Sequence, residues 1–175
     1  ANGLPDEGVA VILDIGAVTS SLIVWGSQDM FFTRDLPVGV HDMVKDISNR
    51  KSIEYIEAQE ELLSSGIDAF KKSEETSGMI AVTERTALDN FVEDVRRTLR
   101  FYAKSSNQSH FTGIHLSGGG SSISGLDAMI QDKLQLNTVI FNPFSGMESK
   151  EDVVEGNPSQ YAIATGLAVR GCNES

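Results

Sequence analysis

Two short turns in this sequence combine glycine with residue types that can bind phosphate. The first turn, Asp14–Ser21, reads DIGAVTSS and follows an uninterrupted apolar run. Glycine allows backbone N–H groups to approach an anion closely, and the hydroxyl groups that follow can donate further hydrogen bonds. A carboxylate repels phosphate, but Asp14 could hold a bridging magnesium ion or its water. The turn indicates a phosphate site, although similar short glycine motifs also occur in ordinary hairpins.

The second turn, Gly118–Ser122, reads GGGSS and lies between a predicted strand and a predicted helix. The carboxyl end of a strand is where α/β proteins bind ligands. Taken alone, the glycines are explained equally well by the positive φ that a tight strand-to-helix connection requires. Two such turns in one small domain favour a shared ligand site.

Five strands are predicted to position these turns. Val9–Ile15 is apolar at six of seven positions and four of these are β-branched, which predicts a strand buried on both faces. Leu22–Trp25 and Phe31–Leu36 complete a predicted antiparallel meander. Gly113–Ser117 and Asn137–Phe141 are expected to extend the sheet, so that the two turns lie near each other.

Helical spacing of apolar residues predicts the remaining elements. The predicted helices are Val40–Asn49, a second one from an N-cap at Ser52 to Gly66, then Thr83–Lys104, Leu126–Leu134 and Gln160–Arg170. The three helices after Thr83 are expected to pack on the sheet. The polar segment Phe70–Gly78 is predicted to be a mobile linker, because it has no apolar face.

Composition excludes several functional classes. The 175 residues fit one domain, and their net charge of −11 argues against binding nucleic acid. No apolar run approaches a membrane span, and Ala1–Gly8 does not look like a signal peptide. The single Cys172 can form no internal disulfide, and the three histidines lack zinc-ligand spacing. P-loop and nucleophile-elbow motifs are also missing.

The ordered motifs ILDIGAVTSSLIVW, FTRDLPVG and IHLSGGGSSISGLDAMI resemble the C-terminal half of actin-like ATPases. With LNTVIFNPFSGM and YAIATGLAVRG, the sequence is most similar to the PilM family of type IV pilus assembly proteins, relatives of the cell-division protein FtsA. The resemblance runs from Val9 to Gly171. It implies an α/β fold of the actin/Hsp70 type, with an RNase H-like core at 9–39 and 81–171. A smaller, helix-rich subdomain would be inserted at 40–80, and residues 1–175 would form the second domain of an actin-like protein.

The resemblance also implies site residues and cofactors. Those expected to face the phosphates of ATP are Asp14, Gly16, Ala17, Val18 and Thr19, with Asp14 also directed at Mg²⁺. Those expected to face the adenosine are Gly118, Gly119, Gly120 and Ser121, and Lys45 is a polar residue expected near the nucleotide. No residue is assigned a catalytic role.

A cytoplasmic, ATP-binding scaffold of the pilus assembly complex is the function that the resemblance implies. It would associate with the inner membrane through membrane-protein partners. A short cytoplasmic tail of such a partner would dock on the domain missing here. The protein could also self-associate. The full-length protein would hydrolyse ATP slowly at most, and this half alone would be inactive. Direct membrane insertion and nucleic-acid binding are not expected.

Three departures from the family pattern keep alternatives open. Val18 replaces a usual serine or threonine, and Gln59 and Leu63 stand where relatives often have glutamate and lysine. The first phosphate loop of an actin-like cleft is also missing from this sequence. Val18 and Leu63 favour a nucleotide-free interaction module as one alternative. An FtsA-like cell-division protein and a phosphotransferase of the actin/Hsp70 superfamily are further alternative interpretations.

Overall fold

A five-stranded mixed sheet forms the centre of the fold. The computed structural model describes residues 8–26, 31–71, 85–145 and 156–173. The strands are β1 (Val9–Ile15), β2 (Ser20–Trp25), β3 (Phe32–Leu36), β4 (Phe111–Ser117) and β5 (Thr138–Ile140). Their order across the sheet is β3-β2-β1-β4-β5. The first three strands form the predicted antiparallel meander, and β4 and β5 extend it as parallel neighbours.

Strand β1 lies in the middle of the sheet and is buried unequally on its two faces. Val9, Val11, Leu13 and Ile15 point into the core and are fully buried. The alternate residues, among them Ile12, are only half-buried. The prediction of a strand buried on both faces is therefore wrong for the second face, because no described helix covers it as closely as the first.

Within the described residues, five helices and three short 3₁₀ turns accompany the sheet. The helices are α1 (Val40–Lys51), α2 (Tyr55–Ser65), α3 (Ala87–Ser106), α4 (Leu126–Leu134) and α5 (Ala162–Asn173). The 3₁₀ turns span Gly66–Phe70, Gly119–Ser122 and Pro158–Tyr161. All five predicted helices are thus present, although most of their boundaries differ from the predicted ones.

Helix α3 supplies much of the core on the covered face of the sheet. Its predicted apolar stripe is buried and consists of Leu88, Phe91, Val92, Val95, Leu99 and Tyr102. The Tyr102 ring lies 5.6 Å from the ring of Phe32 in β3 and 6.1 Å from that of Phe111 in β4. The Ala87 amide at the start of α3 donates to the Asp46 carboxylate of α1 at 2.8 Å. Helix α3 is therefore fixed to α1 and to both halves of the sheet.

The predicted start of the second helix is wrong. Ser52 has a φ of 55° and ends α1, with its N–H donating to the Ser48 carbonyl. Helix α2 begins only after Glu54. A residue in the left-handed region closes a helix rather than opening one, so Ser52 cannot serve as the N-cap of α2.

Helix α5 starts two residues later than predicted and does not pack on the sheet as expected. Its large apolar residues Ile163 and Leu167 are 66% and 65% exposed. Alanine and glycine occupy much of the rest of the helix and offer little apolar area to bury. Helical spacing alone does not identify a surface against which such a helix could pack.

Some expectations fall outside the described residues. Residues 72–78 of the predicted linker and the predicted helix start at Thr83 lie there. The division into a core and an inserted subdomain at 40–80 stays a prediction, although buried residues of α1 and α2 belong to the same apolar cluster as the sheet. Among the described helices, none is long and apolar enough to cross a membrane.

Candidate functional site

The two glycine turns lie side by side because they follow parallel, adjacent strands. Asp14 of β1 is in register with Ser117 of β4, the last residue before the second turn. A methyl group on Gly118 would lie 2.6 Å from the Ile15 carbonyl oxygen, and one on Gly120 would lie 2.3 Å from Ile15 Cγ2. The predicted closeness of the two turns is therefore confirmed.

The first turn exposes consecutive backbone donors. It is closed by a 3.1 Å hydrogen bond from the Gly16 N–H to the Thr19 carbonyl. Between these residues the chain is exposed, and Val18 reaches 65% exposure. The N–H groups of Ala17, Val18 and Thr19 donate to no acceptor within the described parts of the chain. Successive free N–H groups in a turn are a feature of anion-binding sites in proteins.

The start of helix α1 holds the first turn in place. The Val40 N–H donates to the Gly16 carbonyl at 3.1 Å, and the His41 N–H donates to the Ala17 carbonyl at 2.8 Å. Gly39 permits this approach, because a methyl group there would lie 2.6 Å from Ala17 backbone atoms. Sequence reasoning did not assign Gly39 to the site, although the PVG tripeptide that ends β3 marked the position.

Asp14 is held with one carboxylate oxygen available. Its Oδ1 accepts a 2.8 Å hydrogen bond from the Ser117 hydroxyl, while Oδ2 receives none from the described residues. Ser117 is buried, and sequence reasoning had assigned it only to a strand. Across the described residues there is no cluster of three metal-ligating side chains. A single carboxylate fits Mg²⁺, which commonly keeps several waters and takes its other ligands from substrate phosphates.

The second turn packs tightly on β1 at Gly118 and Gly120 and is open at Gly119 between them. Gly118 has φ 81° and ψ 173°, a conformation that residues other than glycine rarely adopt. Gly119 is exposed, and a methyl group there would meet no atom within 4 Å. The N–H groups of Gly119 and Gly120 donate to none of the described residues. This turn can therefore present backbone to a ligand without an intervening side chain.

Three further predicted or missed residues complete the description. Lys45 is exposed on α1, and no described hydrogen bond or ion pair links it to either turn. Asn157 and Ser159 were missed, yet both hydrogen-bond to the second turn. The sequence offered one sign of them, an Asn-Pro-Ser tripeptide ahead of the last helix.

A model of the family described as type IV pilus assembly protein PilM matches residues 1–172 of the chain. The chain belongs to the PilM family. In the solved PilM–PilN type IV pilus biogenesis complex, the matched chain is 26% identical, with a TM-score of 0.72. The match covers 94% of this chain and 46% of that one. The chain thus spans about half the length of the PilM protein that it matches.

More distant solved structures show the same fold. The archaeal actin homologue Ta0583 in complex with ADP is 19% identical with a TM-score of 0.60, over 99% of this chain and 52% of that one. MreB5 of Spiroplasma citri bound to ADP is 18% identical with a TM-score of 0.60, over 95% and 54%. The chain therefore has the α/β fold of actin-like ATPases, as predicted.

Proposed function

We propose that this chain forms one half of the nucleotide cleft of an actin-like, ATP-binding scaffold in type IV pilus assembly. The observation that carries the proposal is the pair of adjacent glycine turns after β1 and β4, whose backbone N–H groups at Ala17–Thr19 and Gly119–Gly120 have no described acceptor. The fold and the family support it. The ADP that the two actin-like relatives hold makes a nucleotide the favoured ligand.

Each turn has a distinct part in this proposal. The N–H groups of Ala17, Val18 and Thr19, with the Thr19 hydroxyl, bind the phosphates of ATP. Asp14, fixed by Ser117, holds Mg²⁺ or one of its waters. Bound Mg²⁺ supplies positive charge that neutralises the phosphates. Gly118–Ser121 lies against the adenosine, and Lys45 adds a cation on the side of α1.

The rest of the assembly is proposed from the family. The matched PilM was solved with PilN, which supports an interaction with a pilus protein of that kind. We place the protein at the cytoplasmic side of the inner membrane, held there by the tail of such a partner docked on the other domain. In this proposal residues 1–175 are the second domain, with the segment 40–80 inserted in its core. In this proposal, as the family resemblance implies, the full-length protein hydrolyses ATP slowly at most.

A nucleotide-free interaction module is the second candidate, and exposed apolar residues on the first turn and on α2 favour it. Val18 places an apolar side chain on the phosphate turn, where it is 65% exposed, and Leu63 of α2 is 66% exposed. An apolar side chain in place of a hydroxyl removes one donor to phosphate. Such residues would instead suit contact with another protein.

Calorimetric titration with Mg-ATP tests the proposal on two proteins, the 175-residue chain and the full-length gene product that contains it. We expect weak binding by the chain and roughly 10²–10⁴-fold tighter binding by the longer protein, because the opposing half of the cleft contributes several kcal/mol. The variant Asp14→Asn should lower the affinity for Mg-ATP more than that for metal-free ATP. Micromolar binding by the chain alone would overturn the half-cleft proposal. Absence of binding by both proteins would favour the interaction module.

A further inference from the structure

A buried polar cluster joins the second glycine turn to the segment that precedes helix α5. We propose that Asn157 and Ser159 are positioning residues, which hold the Gly118–Ser122 turn in the conformation that binds the nucleoside part of the ligand. The inference rests on the proposed function and assigns a role to two residues that contact the turn rather than the ligand.

The hydrogen bonds of the cluster converge on the two ends of the turn. The Gly118 N–H donates to the Ser159 carbonyl at 3.3 Å, and the Ser121 hydroxyl donates to the Gly118 carbonyl at 2.8 Å. The Ser121 and Ser159 hydroxyl oxygens also lie in contact with each other. Ser159 is 0% exposed and Ser121 is 1% exposed. Loss of a partner would leave a buried polar group unsatisfied, so the cluster holds its geometry firmly.

Asn157 uses both ends of its amide in this cluster. Its Nδ2 donates to the Ser121 hydroxyl at 2.9 Å, and its Oδ1 accepts from the Ser159 N–H at 3.1 Å and from the Ser159 hydroxyl at 2.8 Å. No aliphatic side chain could make this pattern, and aspartate would lose the donor. Asn157 therefore ties Ser121 and Ser159 together across 38 residues of sequence.

A glycine-rich turn needs an external support of this kind. Three consecutive glycines lose more backbone entropy on ordering than any other tripeptide. A turn that is ordered before the ligand arrives avoids that cost during binding. The cluster fixes Gly118 and Ser121 and leaves Gly119 between them exposed. Loss of the cluster should consequently weaken binding of the part of the ligand that lies on this turn, and leave the phosphate turn after β1 unaffected.

Affinities for two ligands test the inference in the full-length protein that contains this chain. Asn157→Ala and Ser159→Ala should weaken Mg-ATP binding by roughly 10-fold, the factor for one lost hydrogen-bonded contact, and leave Mg-tripolyphosphate binding unchanged. Ser105→Ala is a control at an exposed position. It also removes a hydroxyl that donates to backbone carbonyls, but on the last turns of α3, near the opposite end of β4. Equal losses for both ligands, or no loss for either, would overturn the inference.

A second measurement separates this inference from the proposed function. Amide hydrogen exchange without ligand should be faster at Gly118 and Ser121 in Asn157→Ala, and unchanged there in Ser105→Ala. If the wild-type protein binds neither ligand, the proposed function fails, and hydrogen exchange alone decides whether the cluster orders the turn. If Asn157→Ala does not fold, Asn157→Asp keeps the acceptor for Ser159 and loses only the donor to Ser121. Unchanged hydrogen exchange at Ser121 in that variant would overturn the inference that Asn157 orders the turn.

Discussion

Gly118 and Gly119 are adjacent identical residues with different structural requirements. Gly118 has φ 81° and ψ 173°, and a methyl group there would lie 2.6 Å from the Ile15 carbonyl oxygen. Gly119 meets no atom within 4 Å of such a methyl group, and its φ lies outside the positive range. Only the first of these glycines is therefore required by the fold, whereas the second is open for a ligand.

Substitution by alanine should separate these two requirements. We expect Gly118→Ala to lower the free energy of unfolding by about 1–3 kcal/mol, the usual cost of a backbone conformation that only glycine adopts readily. Gly119→Ala should change it by less than about 0.5 kcal/mol, as for other exposed substitutions. Urea denaturation of both variants provides the measurement. Equal losses of stability would contradict the described difference between the two positions.

The sequence predicted the residues of both turns but missed the residues that hold them. The DIGA and GGG motifs are local, so their chemistry can be inferred from residues that are adjacent in the sequence. Ser117 enters the site only through the parallel register of β4 with β1, and Asn157 only through a contact across 36 residues. Neither relation has a local signal, because hydrogen bonds of this kind depend on how distant segments pack.

Helix α3 begins with a capping box that ties it to helix α4. The Thr86 hydroxyl accepts from the Asp89 N–H at 2.9 Å, and the Asp89 carboxylate accepts from the Thr86 N–H at 3.1 Å. Lys133 of α4 forms an ion pair with the same carboxylate. Burial tends to raise the pKa of Asp89, but the hydrogen bonds from Lys133 and Thr86 outweigh it and lower this pKa below its ordinary value of 3.8.

This lowered pKa predicts a loss of stability in acid. The ionised Asp89 stabilises the folded state above its unfolded pKa near 3.8, and that contribution is lost as the pH falls through the lower folded pKa. The difference in unfolding free energy between wild type and Asp89→Asn should be constant from about pH 7 to 5 and shrink below about pH 4. Denaturation at each pH measures it. A difference at pH 3 as large as that at pH 7 would contradict the assignment.

The types of element were easier to predict than their ends. Strand β1 is predicted to the residue, because its β-branched run stops at a glycine turn. The start of α3 was predicted at Thr83 instead of after Thr86, since aspartate in the fourth position is a weaker capping signal than glutamate or glutamine. Ser52 has a residue type that begins many helices, and only its backbone conformation shows that it ends one.

At the scale of the whole molecule, the order of motifs was enough to predict the fold. A meander with DIGA between its first two strands, followed after a long helix by strand–GGG–helix, predicts further strands that extend the same sheet, and the structure shows them next to β1. The exposure of α5 could not be predicted in this way. Whether a helix is covered depends on another surface, and the spacing of Ile163 and Leu167 describes only the helix itself.

The hydrogen bond between Asp14 and Ser117 also has a consequence for how the chain folds. It joins residues 103 positions apart, as do most residue pairs between β1 and β4. Contacts at such separation carry a large loop-closure cost and form slowly, whereas helix α3 and the β1–β2–β3 meander are local. The first turn belongs to the local meander, but the complete site, with both turns side by side, should form only when the β1–β4 pairing closes.

Pulse-labelling hydrogen exchange during refolding can detect this sequence of events. Amides within α3 should become protected before those of Ile114 and Leu116 in β4, and the last phase should coincide with recovery of ligand binding. Trp25, the single tryptophan, lies on β2 and reports on the meander independently. Simultaneous protection of all three regions would contradict the expected order. If the order holds, a ligand that contacts both turns at once distinguishes chains in which β1 and β4 have paired from the intermediates that precede this pairing.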